Sequence, residues 1–261
     1  MSLLLMAAIG VAVGLLLGLT GVGSGSVLTP VLILFCGFAP AKAVGTSLAF
    51  AFVTKILASA SFYRRGFVDF SIVRKLVPGA VAGLATAFVL LKLLGYRSPQ
   101  TENIFLQRSI GAALLLVFLL MCTHFLPGAA GESIARHRLR FAERHELPLT
   151  LATGYIVGLS VSLTSIGGGA ALVPLLYLLY RPDSGRLVGT SLFFSTALSA
   201  AAGLLHATGG HVDPLALAAL LLGSLPAIWL ASHMHGRIPR ILSEAVIAVV
   251  MLLLGVRLAF L

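Results

Sequence analysis

Apolar residues run through this chain in long blocks, and polar residues are confined to the intervals between them. Stretches such as 112–120, 216–222 and 245–254 show neither the polar stripe of a surface helix nor the alternation of a half-buried strand. A helix that is apolar on every side must be buried in a large core or in lipid. Cutting the chain where charge, Gly or Pro interrupts gives eight segments, near 3–35, 42–62, 72–95, 105–126, 148–180, 186–207, 213–232 and 239–260. Most are close to the ~20 residues that one membrane crossing requires. The pattern predicts an all-α polytopic membrane protein.

Composition removes the soluble alternative. Hydrophobic residues make up 59% of the 261 positions and charged ones 10%, with a mean hydropathy of +1.06. A water-facing surface needs about 25% charged residues. The formal charge is +10, but the basic residues sit between apolar segments. They read as topology signals and contacts for anionic lipid rather than as a nucleic-acid surface. Cys36 and Cys122 lack C-x-x-C spacing and read as small buried hydrophobes, so neither a disulfide framework nor a zinc site is expected. The first apolar run has no basic residue before it and outlasts a signal core, so it reads as a retained membrane segment.

The chain repeats itself. A shift of 144 positions lays Thr20-Gly21-Val22-Gly23-Ser24-Gly25 on Thr164-Ser165-Ile166-Gly167-Gly168-Gly169, and Pro30 on Pro174. It also lays Val44-Gly45-Thr46-Ser47-Leu48 on Val188-Gly189-Thr190-Ser191-Leu192, and Gly66-x-Val68-Asp69 on Gly210-x-Val212-Asp213. The expected organisation is a first membrane repeat over 1–126, a basic connector over 127–147 and a second repeat over 148–261. Internal repeats of this kind are a habit of secondary transporters.

Each half opens on a segment of awkward length. As one helix, 3–35 would run about 50 Å, against roughly 30 Å of hydrocarbon. Both opening segments carry a Gly-rich break and then a Pro, which predicts a broken or re-entrant helix followed by three membrane helices. Charge counting supports the re-entrant form. If each opening segment returns to its own side, one face holds Arg64, Arg65, Arg74, Lys75, Arg136, Arg138, Arg140, Arg144, Arg181, Arg186, Arg237 and Arg240. The other holds only Lys42, Lys92, Arg97, Arg108 and Arg257. A single crossing by each would divide the same charges almost evenly. The positive-inside tendency favours the first arrangement, with the connector cytoplasmic and the repeats inverted.

The breaks are the foremost site candidates. A helix interrupted at membrane depth bares N–H groups, and the next half-helix points its positive end at the gap. Thr20, Gly21, Gly23, Ser24 and Gly25 in one half, with Thr164, Ser165, Gly167, Gly168 and Gly169 in the other, suit the oxygens of an anion. The competing reading is close helix packing through small residues. Thr46-Ser47 and Thr190-Ser191 are expected to converge on the breaks near the midplane and add hydroxyl donors, or else to bond back to their own helices. Lys55 lies about 12 Å deep at 1.5 Å per residue. It is either a cavity cation or a snorkelling side chain. The absence of deep carboxylates argues against a bound metal or sodium ion, and no cofactor is expected. Asp69 and Asp213 read first as helix N-caps, with proton coupling as a second role that they share with His206. His124, His211, His233 and His235 read as interfacial, and Glu244 as a helical partner of Arg240.

These residues resemble a known family. The run Gly18 to Pro30, G-L-T-G-V-G-S-G-S-V-L-T-P, and the run Ser165 to Pro174, S-I-G-G-G-A-A-L-V-P, are similar to the paired Gly-rich signature of the TauE/SafE sulfite and organosulfonate exporters, also called TSUP permeases. Each run is followed by V-G-T-S-L and a V-D pair. The first break departs from the pattern, reading V-G-S-G-S, and Phe62 stands where the second half has His206. The resemblance implies a multi-pass carrier in a bacterial inner membrane that moves sulfite, sulfonates or related sulfur anions, most often outward; the two repeats predict alternating access by one half rocking against the other. It implies no enzymatic activity. The expected partners are the sulfur oxyanion and membrane lipid, including anionic lipid, with a homodimer as an option and no nucleic acid. The rivals are an anion channel, an intramembrane enzyme using His206 or His124 as base, and a receptor or scaffold.

Overall fold

The computed structural model describes residues 3–20, 25–125, 146–169, 171–180, 184–233 and 240–260. Within these the chain is helical: α1 (Leu3–Thr20), α2 (Gly25–Leu34), α3 (Pro40–Arg64), α4 (Phe70–Arg97), α5 (Pro99–Phe125), α6 (Glu146–Thr164), α7 (Leu172–Tyr180), α8 (Ser184–Thr208), α9 (Pro214–His233) and α10 (Arg240–Phe260). Six of these are long and apolar enough to cross a membrane, while α2 is a shorter apolar helix. The chain is an all-α polytopic membrane protein. Each opening segment is broken, into α1 and α2 and into α6 and α7, and three longer helices follow in each half. The connector over 127–147 falls almost wholly outside the described residues.

Local chemistry explains the joints. The repeated Gly-x-Val-Asp is one device used twice. Gly66 at φ 72° and Gly210 at φ 73° take the left-handed conformation that ends a helix. The amides of Phe67 and Gly66 donate back to the carbonyls of Phe62 and Tyr63, and those of His211 and Gly210 to His206 and Ala207. Asp69 then caps α4, its carboxylate accepting from the amides of Ser71 and Ile72. Asp213 accepts from the amide of Ala216 at the start of α9. The capping role expected of both aspartates is what the structure shows.

The halves interlock by exchange. α1 packs along α9 and α4 along α6, so each half's first helix lies on the other half's fourth; α3 packs on α8 and α5 on α10. Small residues allow the close approach: Gly10, Gly14 and Gly18 meet Leu220, Ser224 and Ala231 in ascending order, so α1 and α9 run parallel. Gly45 meets His206, Gly203 meets Leu48 and Gly189 meets Phe62, so α3 and α8 run antiparallel, as do α5 and α10 through Gly111 on Ala259 and Gly255 on Leu114.

These contacts fix the path of the opening segment. Lys42, at the start of α3, pairs with Asp213, at the start of α9, at 2.9 Å. The starts of α1, α3 and α9 therefore share one end of the bundle. A chain that reaches the far end at Thr20 must come back by Pro40, and α2, about 15 Å long, is the returning limb. A single crossing by each opening segment would hold Lys42 and Asp213 on opposite sides.

Burial is inverted relative to a soluble protein. Leu57, Leu204 and Leu222 are 77%, 68% and 76% exposed, whereas Thr29, Thr46, Ser47, Ser195, Thr150 and Ser224 are buried. An apolar exterior around a hydroxyl-bearing interior is what lipid outside and a polar path inside require.

Candidate functional site

The second break is built by its own first residues. Thr164 closes α6: its hydroxyl donates to the carbonyl of Ser160 at 2.6 Å and accepts from the amide of Ile166 at 3.1 Å. Ser165 then adopts φ 61° and Gly167 φ 110°. A serine held in the left-handed region carries local strain of the sort that gathers at functional sites. Its Oγ is buried and has no hydrogen-bond partner among the described residues. Gly168 lies against α8, where an added Cβ would stand 3.0 Å from the Cβ of Ser195.

The first break comes to the same place. A Cβ on Gly25 would overlap the backbone carbonyl of Ser165, so the start of α2 rests directly on the second break. One turn beyond Gly25 on the same face of α2 is Thr29, fully buried with its hydroxyl unpartnered. The structure thus joins Gly25 to Ser165. Gly21, Gly23, Ser24 and the side chain of Thr20 lie outside the described residues.

Lys55 sits at the middle of the α3–α8 crossing. Leu48 faces Gly203 and Phe62 faces Gly189, and Lys55 is one heptad from each, on the same stripe. Counted one heptad from each of those contacts, it falls level with Thr196 and Ser195 of α8. Lys55 is half-buried and, among the described residues, has neither an ion-pair nor a hydrogen-bond partner. Thr196 and Ser195 are buried, each donating its hydroxyl to the carbonyl of Leu192 at 2.7 and 3.1 Å. The sequence reading passed over Ser195 and Thr196, although Ser191, Ser195 and Ser199 at spacing four mark one face of α8.

The two Thr-Ser pairs do not converge. Thr46 accepts from the amide of Asp213 at 3.1 Å, and Thr190 from the amide of Asp69 at 2.9 Å. Each threonine ties its helix to the opposite half's capping aspartate, at opposite ends of the crossing, about 22 Å apart at 1.5 Å per residue. The antiparallel run of α3 and α8 is the reason, since a matched position early in each helix falls at opposite ends. Ser191 donates to the carbonyl of Val188 at 3.0 Å, while Ser47 is buried without a partner.

The pattern has one asymmetry. The shift of 144 lays Lys42 on Arg186, yet Lys42 pairs with Asp213 while Arg186, which is exposed, does not pair with Asp69. His206 lies at the Lys42 end, with Nε2 2.9 Å from the carbonyl oxygen of Ser162 and its ring 5.6 Å from that of His211.

Nearly the whole chain matches known sequences. Residues 6–258 match the model of the family described as sulfite exporter TauE/SafE. A "Probable membrane transporter protein YjnA" of Bacillus subtilis (strain 168) is 33% identical over 251 residues, covering 95% of this chain and 96% of that protein. A second, "Probable membrane transporter protein YunE" of the same organism, is 24% identical over 264 residues, covering 96% and 93%. No solved structure matches the chain.

Proposed function

The chain belongs to the sulfite exporter TauE/SafE family and is a multi-pass membrane transporter; from that premise we propose that it carries a small sulfur-containing oxyanion, sulfite or an organosulfonate, out of a bacterial cell across the inner membrane. The observation that carries the reading is the meeting of the two breaks at Gly25 and Ser165, with unpartnered hydroxyls on Ser165 and Thr29 beside it. An unsatisfied buried hydroxyl costs about 1–3 kcal/mol, and an oxyanion offers acceptors to such donors. Lys55 supplies the positive charge from the crossing of α3 and α8, and among the described residues no carboxylate pairs with it.

The halves are inverted about an axis in the membrane plane, and alternating access exchanges their roles. The unequal ion pairs supply the device. In this conformation Lys42 holds Asp213 at one end while Arg186 and Asp69 stand apart at the other; in the alternate one the second pair closes and the first opens. The 127–147 connector faces the cytoplasm.

The test is anion entry into proteoliposomes, paired with thermal stabilisation of the purified protein by sulfite, thiosulfate, sulfoacetate, taurine, sulfate and chloride. A saturable flux and a shift specific to one sulfur anion support the carrier and name its cargo. Flux that rises linearly with concentration makes the protein a channel, and no response to any sulfur anion ends the substrate reading.

A further inference from the structure

Between α4, α8 and the last turn of α6 lies a cavity of about 260 Å³. Its walls come from α4 and α8 and are largely apolar. Its polar groups are Ser162 of α6, His206 of α8, His211 of the α8–α9 connection, Lys92 of α4 and Glu102 of α5. Ser162 is 4% exposed and His206 5%, and both carry an unpartnered buried atom, Oγ and Nδ1.

The hydrogen bond of His206 decides what Nδ1 can do. The carbonyl of Ser162 can only accept, so Nε2 carries the hydrogen that bridges them at 2.9 Å. Nδ1 is then a bare acceptor in the neutral ring and a donor in the cation. Neither form finds a partner among the described residues. The Ser162 hydroxyl has one hydrogen to give. A single ligand satisfies both atoms if it brings an oxyanion oxygen for the hydroxyl and one proton to lie between itself and Nδ1. The proton can rest on either side of that contact, as an anion O–H donating to Nδ1 or as Nδ1–H donating to the anion.

The geometry points to this cavity as a joint site for one small oxyanion and one proton, with His206 Nδ1 and Ser162 Oγ as its floor. The inference rests on the oxyanion reading above and adds the coupled ion. Binding forms two hydrogen bonds and breaks no covalent bond; the proton comes from solution when the free anion lacks it. The charged groups around the floor leave the proton to His206. Lys42 and Asp213 at the same end are paired with each other, Lys92 and Glu102 line the cavity with opposite signs, and His211 is the neighbouring ring. Asp69 and Asp213 are thereby released from coupling, since their carboxylates cap helices.

The experiment is calorimetric titration of sodium sulfite into the detergent-purified full chain at mildly alkaline pH, in two buffers of different ionisation enthalpy. The wild type should take up about one proton for each anion bound, because neutral His206 must gain what the dianion lacks. His206→Gln, which keeps a donor for the Ser162 carbonyl, should abolish the uptake and weaken sulfite at least about tenfold. Ser162→Ala should weaken sulfite by a similar factor while proton uptake persists, which covers the case in which the histidine variant fails to fold. Sulfite binding by the wild type with no buffer-dependent heat, or uptake that survives in His206→Gln, overturns the joint site and leaves the oxyanion reading intact. Absence of wild-type binding to every sulfur anion overturns both.

Discussion

Replacing Lys55 by Met should move binding and stability in opposite directions. Lys55 falls on the heptad stripe of α3 that carries Leu48 and Phe62, level with Thr196 of α8 and half-buried, with no ion-pair partner among the described residues. Without ligand it is a cation short of solvent, and removing it relieves a desolvation cost of about 1–3 kcal/mol. With the oxyanion bound it makes a charge-assisted contact worth about 1.5–3 kcal/mol, which is about ten- to 150-fold in Kd. Lys55→Met should therefore melt higher than wild type without ligand, by on the order of a few degrees. It should also lose most of the stabilisation that sulfite gives. Thermal melts with and without sulfite read both quantities in one preparation. A side chain that snorkels to the lipid surface has its charge in water already, and its removal would change neither. Unchanged sulfite affinity in Lys55→Met refutes the role assigned to this residue.

Three further outcomes follow from the same contacts. Gly14→Val should fail to fold or melt far below wild type by circular dichroism, since a Cβ there would stand 2.7 Å from the carbonyl oxygen of Ser224 and 3.0 Å from the Cβ of Ala227. Thr46→Val and Thr190→Val should each lower stability by about 1–3 kcal/mol, by leaving the amides of Asp213 and Asp69 without their acceptors; equal melting of both variants and wild type would contradict the ties. Asp213 is held below the usual carboxyl value near 3.8 by the Ala216 amide first and the Lys42 ammonium next. Its contribution is complete above that value and is lost as pH falls through the lower folded one. Asp213→Asn should melt below wild type at neutral pH, and the gap should close under strong acid.

The repeated blocks made much of this protein legible in advance. Unbroken apolar runs specify membrane helices without reference to any partner, because lipid contacts depend on the side chain alone. Gly66-x-Val68-Asp69 and Gly210-x-Val212-Asp213 specify turns and caps for the same reason: an αL residue and a carboxylate acceptor act within a few residues of themselves. The Gly-rich breaks were visible because 33 residues cannot form one upright span. The sequence also contained the full charge pattern from which the return of α2 was argued.

Packing decided the rest. Thr46 and Thr190 are identical in the alignment, and only the antiparallel crossing of α3 and α8 shows that they stand at opposite ends, each serving the other half. The exchange of α1 onto α9 and α4 onto α6 lies in contacts between segments far apart in the chain, such as Gly10 on Leu220 and Gly79 on Leu151, for which a single sequence gives no register. Ser162, Ser195 and Thr196 acquire meaning from neighbours on other helices, and a hydroxyl on a membrane helix looks alike in sequence whether it bonds its own backbone or is left for a ligand. The pairing of Lys42 with Asp213, and the separation of Arg186 from Asp69, is a property of one conformation. Local chemistry determined the elements and their ends; which elements meet, and in which direction, depended on burial and close approach between distant segments, and that is where the site was formed.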